Sequence, residues 1–336
     1  MNNTMMECGT YILSIDRSLS VWGQTWFENY PLRCSGVGVE RLSICDNSFI
    51  CHGERMDLDI EHDKSIDVVK QKIIDSLFAN ESSEFITLTK LTPGSGNRYS
   101  HIYRPIYISK YGVIYDFNPL QEIPSEQYID PPIVNYCEYN DYIRQLTLLL
   151  TELFDVFQTV EPNSDNVEVY GNTFRNIIIL ACTEVDGLMK KVSMDNGLQG
   201  HDGKYSTKDY VNFKNPLQID KYTTCFNFID ELGETTPFLG WDSVNSTQSL
   251  SWYNAYNLVK HDRINNKEKA NMKNAIESVM AFAVVMMAQF GYRNSIWENN
   301  IGKYIKVINE PLWNISDFYF PVVKGENWKY INYPLV

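Results

Sequence analysis

The 336-residue chain lacks a long hydrophobic run: its strongest, VMAFAVVMMA from Val279 to Ala288, falls well short of the ~18 apolar residues of a membrane span. It also lacks a basic lead-in followed by an apolar core at its start, MNNTMMECGTYILSIDRS, so no secretory signal is expected and the cytoplasm is the expected location. Its seven cysteines, at 8, 34, 45, 51, 137, 182 and 225, contain no CxxC pair, which fits reduced thiols better than a disulfide framework or a zinc ribbon. Basic charge is scarce: 29 bases against 42 acids give −13, and the split about Cys137 is 11 against 18 before it and 18 against 24 after it. A chain acidic in both halves lacks the broad basic surface that non-specific nucleic-acid binding needs, because such binding releases counterions from phosphates. Only a local basic site remains open to it.

Common catalytic signatures are missing as well. No GxSxG elbow and no HExxH pair occurs. The glycines of TPGSGNRYSH, residues 92–101, precede neither GK[ST] nor a helix, so they read as a hairpin turn rather than a phosphate cradle. Cys45, Cys51, His52 and His62 carry zinc-compatible atoms at a spacing that matches no common zinc arrangement. Acids at 57, 59, 61 and 63 in RMDLDIEHD would share one strand face, a pattern that protects an edge strand more often than it gathers a cation. No metal or cofactor is expected.

What is present is enough apolar sequence, 44%, to fill the cores of about two domains. Up to residue 130 the chain alternates short strand-like runs with turn residues: TYILSI, SFICH, EFITLTKL and RPIYISKYGVIYDF. Only SIDVVKQKIIDSLFA, Ser65 to Ala79, has helical spacing there, so residues 1–130 are expected to form a β-rich α+β domain. Three prolines in QEIPSEQYIDPPIVN, Gln121 to Asn135, hold the chain extended and mark the boundary. Beyond it, Ile143, Leu146, Leu150, Leu153, Phe154, Phe157 and Val160 recur every three or four residues, which predicts an amphipathic helix. Its partner is Thr173 to Val192, apolar on most sides. Asp195 to Asn215 reads as a polar excursion loop. Helices over Gln248 to about Asn265 and Glu268 to Phe290 follow, joined by RINNKE, and residues 293–336 read as an extended or hairpin tail packing on the helical bundle.

One segment points to chemistry. In WYNAYNLVKHDR, Trp252 to Arg263, helical spacing puts Asn254, Asn257 and His261 on one stripe and Trp252, Tyr256 and Val259 on another. A polar stripe on an aromatic-rich helix must meet water, a partner or a site, since an unpaired buried amide or imidazole costs about 1–3 kcal/mol. A structural role, fixing helix register, is the plainer reading of a helical histidine. Lys260 and Arg263 favour a chemical one: from Ser251 to Ala275 five bases stand against two acids, and an imidazole that titrates near neutrality beside cations suits proton transfer at a phosphate.

The order FRNIIILACTEVDGLMKKV, a variable loop, PFLGW, SWYNAYNLVKHDR and a final long helix resembles the HEPN superfamily (higher eukaryotes and prokaryotes nucleotide-binding domain), in particular its uncharacterised bacterial branches. The resemblance covers residues 138–292. It implies a helical bundle, a homodimer, and a metal-independent ribonuclease of the phage-defence or toxin–antitoxin kind, with RNA or a nucleotide as partner and no membrane. It also implies His261 as the proton-transferring group at a ribose 2′-hydroxyl, Asn257 orienting it or the phosphate, and Lys260 or Arg263 stabilising developing charge. The superfamily's arginine, separated from the histidine by four to six residues, would stand at Asn254, Ala255 or Tyr256, none of which is arginine. Arg175 on the earlier helix is the substitute cation if the fold brings it near, with Asn254 beside it as a substrate contact. Glu184 and Asp186 on that helix read as solvated acids. The competing expectation is a non-catalytic interaction module that binds a partner or dimerises through residues 250–263. Both expectations place Asn257 and His261 in partly enclosed positions.

Overall fold

A computed structural model describes residues 9–16, 37–45, 48–51, 54–57, 66–77, 86–90, 102, 107–109, 112–114, 135–291 and 300–311. The chain divides into two units, the second built on residues 134–311. In the first unit, β1 (Gly9–Asp16), β2 (Val37–Cys45), β3 (Ser48–Cys51), β4 (Glu54–Asp57) and β5 (Ile86–Lys90) pair antiparallel in the order β4-β3-β2-β1-β5. Helix α1 (Ile66–Leu77) precedes β5, and β6 (Tyr107–Ser109) pairs with β7 (Gly112–Ile114). Strand β2 carries Glu40 and Arg41 in its middle, which interrupt its apolar run. His52, His62, residues 58–63 and residues 92–101 lie outside the described residues.

The second unit is mostly helical, with one small antiparallel sheet. Helix α2 (Tyr136–Phe157) starts where Asn135 caps it, its side chain accepting from the backbone N–H of Cys137 at 3.1 Å and of Glu138 at 3.3 Å. It buries Tyr139, Ile143, Leu146, Leu149, Leu150 and Leu153, a stripe with the three-and-four spacing of one helix face. Val160 lies past the last helical residue. Helix α3 (Asn172–Asp195) runs beside α2, and Lys191 ties the two where its ammonium meets Glu138 at 3.4 Å and Asp195 at 3.1 Å.

The region expected to be a polar excursion loop is instead folded onto the bundle. It holds two helical turns, α4 (Thr207–Tyr210) and α5 (Lys214–Leu217), and buries Thr207, Tyr210, Phe213 and Leu217. Local polar bonds make this possible: Asp209 accepts from the Ser206 backbone N–H at 2.8 Å, and the Thr207 hydroxyl bonds those of Thr247 at 2.7 Å and Ser246 at 3.1 Å. Strand β8 (Thr223–Phe226) follows and pairs antiparallel with β9 (Ile305–Asn309). Phe154 and Phe157 at the end of α2 meet Phe226 edge-on at 5.5 and 5.7 Å, which seats the sheet on the helices.

Helix α6 (Ser251–His261) is shorter than its pattern predicts. Asp262 leaves helical geometry at φ −142° and turns the chain by accepting from the Asn265 backbone at 3.2 Å and its amide at 2.8 Å, an aspartate-closed turn. The buried Trp252 indole donates to the Pro237 carbonyl at 2.8 Å, and Phe238 lies between Trp252 and Trp241, so PFLGW is the wall against which α6 packs. Helix α7 (Met272–Phe290) begins later than expected because Asn271 is its cap, accepting from the Asn274 N–H at 3.0 Å. Of its 19 residues only Lys273 and Glu277 are not buried. Helices α2, α3 and α6 cover it, and Gly291 ends it at φ 87°, a backbone conformation that favours glycine.

Since α7 carries the core, Phe282→Ala is expected to cost about 3–5 kcal/mol, the usual range for emptying a fully buried aromatic site. Lys273→Ala should change stability by less than about 0.5 kcal/mol. Denaturant unfolding of both variants measures the contrast, and equal effects would refute the central placement of α7.

Candidate functional site

The C-terminal end of α6 meets the N-terminal end of α3. Arg175, in the first turns of α3, donates its Nε–H to the Val259 carbonyl of α6 at 3.4 Å across 84 residues of sequence. Arg263, just beyond α6, donates to the side-chain oxygen of Asn172, the first residue of α3, at 3.0 Å. Two cations are thereby placed where α6 presents its last carbonyls, the end of a helix that favours positive charge. No side chain caps the start of α3, and its first turn holds no acid.

On this end stand the residues that the sequence singles out. His261 is the last helical residue of α6 and is exposed, not partly enclosed, because the chain turns away at Asp262 immediately after it. Asn257, one turn earlier, and Asn254, a turn before that, are half-buried. Among the described residues the side chains of Asn254, Asn257 and His261 form no hydrogen bond, so the polar stripe is left to solvent or to a ligand. Trp252, Tyr256 and Val259 on the other stripe are buried as expected. Leu250 is buried too.

Lys260 has a different setting from the one expected. Its ammonium is folded back onto Tyr256, donating to the phenol oxygen at 2.8 Å with the ring centroid 4.8 Å away. That bond is the main reason its pKa stands above the ordinary lysine value, so Lys260 is a fixed cation rather than a proton carrier. Arg263 is outside the helix altogether, and its guanidinium is steered by Asn172 instead of by helical phase.

Asp186 departs furthest from the sequence reading. Rather than a solvated acid it is half-buried where α3 meets α6, with the Tyr253 phenol donating to its Oδ1 at 2.7 Å. Burial pushes its carboxyl up to about 6, against the lowering effects of the Tyr253 hydrogen bond and of Lys260 nearby. Burial also raises Tyr253, Tyr210 and the fully enclosed Cys182 thiol, each further raised by the charge of Asp186. Burial alone raises Glu184 on the same helix. Nothing in the local sequence marks Asp186, since Tyr253 lies 67 residues away. Among the described residues no group of three or more His, Cys, Asp or Glu is placed to hold a metal ion, and no helix is long and apolar enough to cross a membrane.

Comparison with protein-family models, with curated proteins and with solved structures finds no match to this chain. The reading of the site therefore rests on its geometry.

Asp186 supplies a pH test of this arrangement. Its folded pKa, about 6, lies above its ordinary value of 3.8, so the folded state prefers the protonated form and loses stability as pH rises between those values. Each unit of such a difference corresponds to about 1.4 kcal/mol. Asp186→Asn keeps an acceptor for Tyr253 and removes the charge. It should therefore stabilise the protein by on the order of 2–3 kcal/mol at pH 7.5 and progressively less toward pH 4. Thermal unfolding across that range reads the effect, and a pH-independent difference would show that Asp186 is not the half-buried acid described.

Proposed function

We propose that residues 138–292 form a HEPN-like bundle whose α6 end handles RNA or a nucleotide and cleaves RNA without a metal ion, in a cytoplasmic protein of bacterial defence or stress response. On this reading the strands before residue 130 belong to a separate β-rich α+β domain, and the active form is a homodimer through the helical domain. The observation that carries the proposal is Arg175. The superfamily's arginine is missing from α6, and the guanidinium of Arg175 is held at the Val259 carbonyl, two residues before His261. A cation supplied from α3 stands in for the one absent from α6.

In this scheme the exposed His261 imidazole accepts the proton of a ribose 2′-hydroxyl. The 2′-oxygen bonds to the adjacent phosphorus, the bond to the 5′-oxygen breaks, and the departing oxygen takes a proton from the imidazolium or from solvent. Asn257, on the same helix stripe with no other hydrogen bond, orients the imidazole or the phosphate, and Asn254 extends the contact. Arg175 and Arg263 stabilise the charge that develops on the phosphoryl oxygens, a role for which their forked donors are suited. Lys260 contributes field rather than contact, given its bond to Tyr256.

A second reading draws on the same bonds. Arg175 to Val259 and Arg263 to Asn172 also stitch α3 to α6, as a non-catalytic module that binds a partner or dimerises through residues 250–263 would require. The two readings diverge in one assay. Purified protein incubated in EDTA with a pool of structured RNAs should cleave, His261→Ala should lose at least about a hundredfold in rate, and Arg175→Ala should lose roughly ten- to a hundredfold. A folded protein that cleaves nothing, or that cleaves equally well as His261→Ala, supports the interaction module instead.

A further inference from the structure

Next to the α6 end the chain builds a second feature that the cleavage scheme leaves unused. Residues 167–171 run antiparallel to residues 270–273: the Gly171 N–H donates to the Ala270 carbonyl at 3.0 Å, Met272 to Val169 at 2.9 Å, and Lys273 to Val167 at 2.9 Å. Tyr170 faces Asn271 across this bridge. Ala270 and Met272 turn inward and are buried, whereas Tyr170 stays 48% exposed, with its chain neighbour Val169 at 39%. Two residues after Tyr170, Asn172 receives the Arg263 guanidinium. An exposed aromatic is thus joined through the backbone and one side-chain bond to the basic end of α6.

A half-exposed tyrosine alone is unremarkable. Its electrostatic setting is not, in a chain of net charge −13. Across residues 167–175 and 259–273 the bases are Arg175, Lys260, Arg263, Lys267, Lys269 and Lys273, and the acids are Glu168, Asp262 and Glu268. Glu168, which accepts from Asn271 at 2.7 Å, and Asp262, which holds Asn265, keep their charges, so six bases against three acids leave a local excess of three positive charges. Lys267, Lys269 and Lys273 are exposed. Cations that track phosphates beside a ring that accepts a base face are the two parts of a single-strand binding surface, and a duplex, whose base faces are stacked on one another, uses only the first of them.

We infer that this surface binds an unpaired stretch of RNA, with Tyr170 as the platform on which a base stacks and Arg263, Lys267, Lys269 and Lys273 as the phosphate contacts. The inference rests on the RNA reading of the α6 end and adds to it a substrate form and the residue that selects it. Tyr170 lies two residues before α3, so a base stacked on it places the adjoining backbone beside Arg263 and the His261 end of α6.

The test uses the full-length protein and a fluorescent 2′-O-methyl oligonucleotide of mixed sequence, which cannot be cleaved through a 2′-hydroxyl, alone or annealed to its complement. Fluorescence anisotropy should show the single strand bound at least about tenfold more tightly than the duplex. Tyr170→Ala should weaken single-strand binding about 5- to 100-fold and leave duplex binding unchanged, and Tyr170→Phe, which keeps the ring, should bind like the unaltered protein. A 2-aminopurine base in the strand reports stacking on the unaltered protein, where its emission should be quenched on binding. Equal affinity for the two forms, unquenched emission, or a Tyr170→Ala variant that binds as well as the original overturns the inference and leaves the cleavage scheme standing. Tyr170-dependent binding with no cleavage of ordinary RNA supports the inference and removes the nuclease step. No binding of either form rejects both.

Discussion

Everything in the helical unit depends on covering α7. A helix of 19 residues with only Lys273 and Glu277 outside the core cannot rest against one neighbour. It needs apolar surface on every side, and burial at about 25 cal/mol per Å² of apolar area is what draws that surface in. Helices α2, α3 and α6 supply it, each with a stripe of its own. Once α3 and α6 are both committed to α7 they are also committed to each other. Their shared edge then places Arg175 at the Val259 carbonyl and Asp186 under Tyr253.

That shared edge divides α6 into two chemical environments. One face, with Tyr253, Tyr256 and the folded-back Lys260, looks onto α3 and lies over Asp186 beside Cys182, where burial raises the carboxyl above its ordinary value. The other, with Asn254, Asn257 and His261, has no internal partner among the described residues and is free to meet a ligand. Keeping polar groups unpaired at an exposed helix end costs little, because water serves them. The same groups in the core would each cost a lost hydrogen bond. The stripe runs along α6 from the half-buried Asn254 and Asn257 to the exposed His261, on the side of the helix that water reaches.

How much of this was legible in the sequence follows from which contacts are local. The α2 stripe from Ile143 to Leu153 and the apolar body of α3 follow from helical periodicity, and the structure places helices there. The end of α6 was expected near Asn265 but falls at His261, because Asp262 prefers to close a turn onto Asn265, a side-chain effect that periodicity does not register. The turns α4 and α5 were missed for a related reason: four residues are too few to show a period, and Thr207 is buried through hydroxyls forty residues away. The stripes of WYNAYNLVKHDR divide into buried and open faces as their spacing requires. Asp186 and Arg175 owe their settings to partners 67 and 84 residues distant, so their chemistry appears only in three dimensions.

The proposed RNA site is the exposed end of α6, between the starts of α3 and α7, in a chain of net charge −13. Its most direct test is chemical modification of histidine by diethyl pyrocarbonate, read residue by residue by mass spectrometry with and without saturating single-stranded RNA. The chain has five histidines, so the other four serve as internal references. The account predicts that His261 reacts readily in the free protein and is selectively protected when RNA is present. Reaction of His261 at the same rate with and without bound RNA would contradict it and would move the site elsewhere on the molecule.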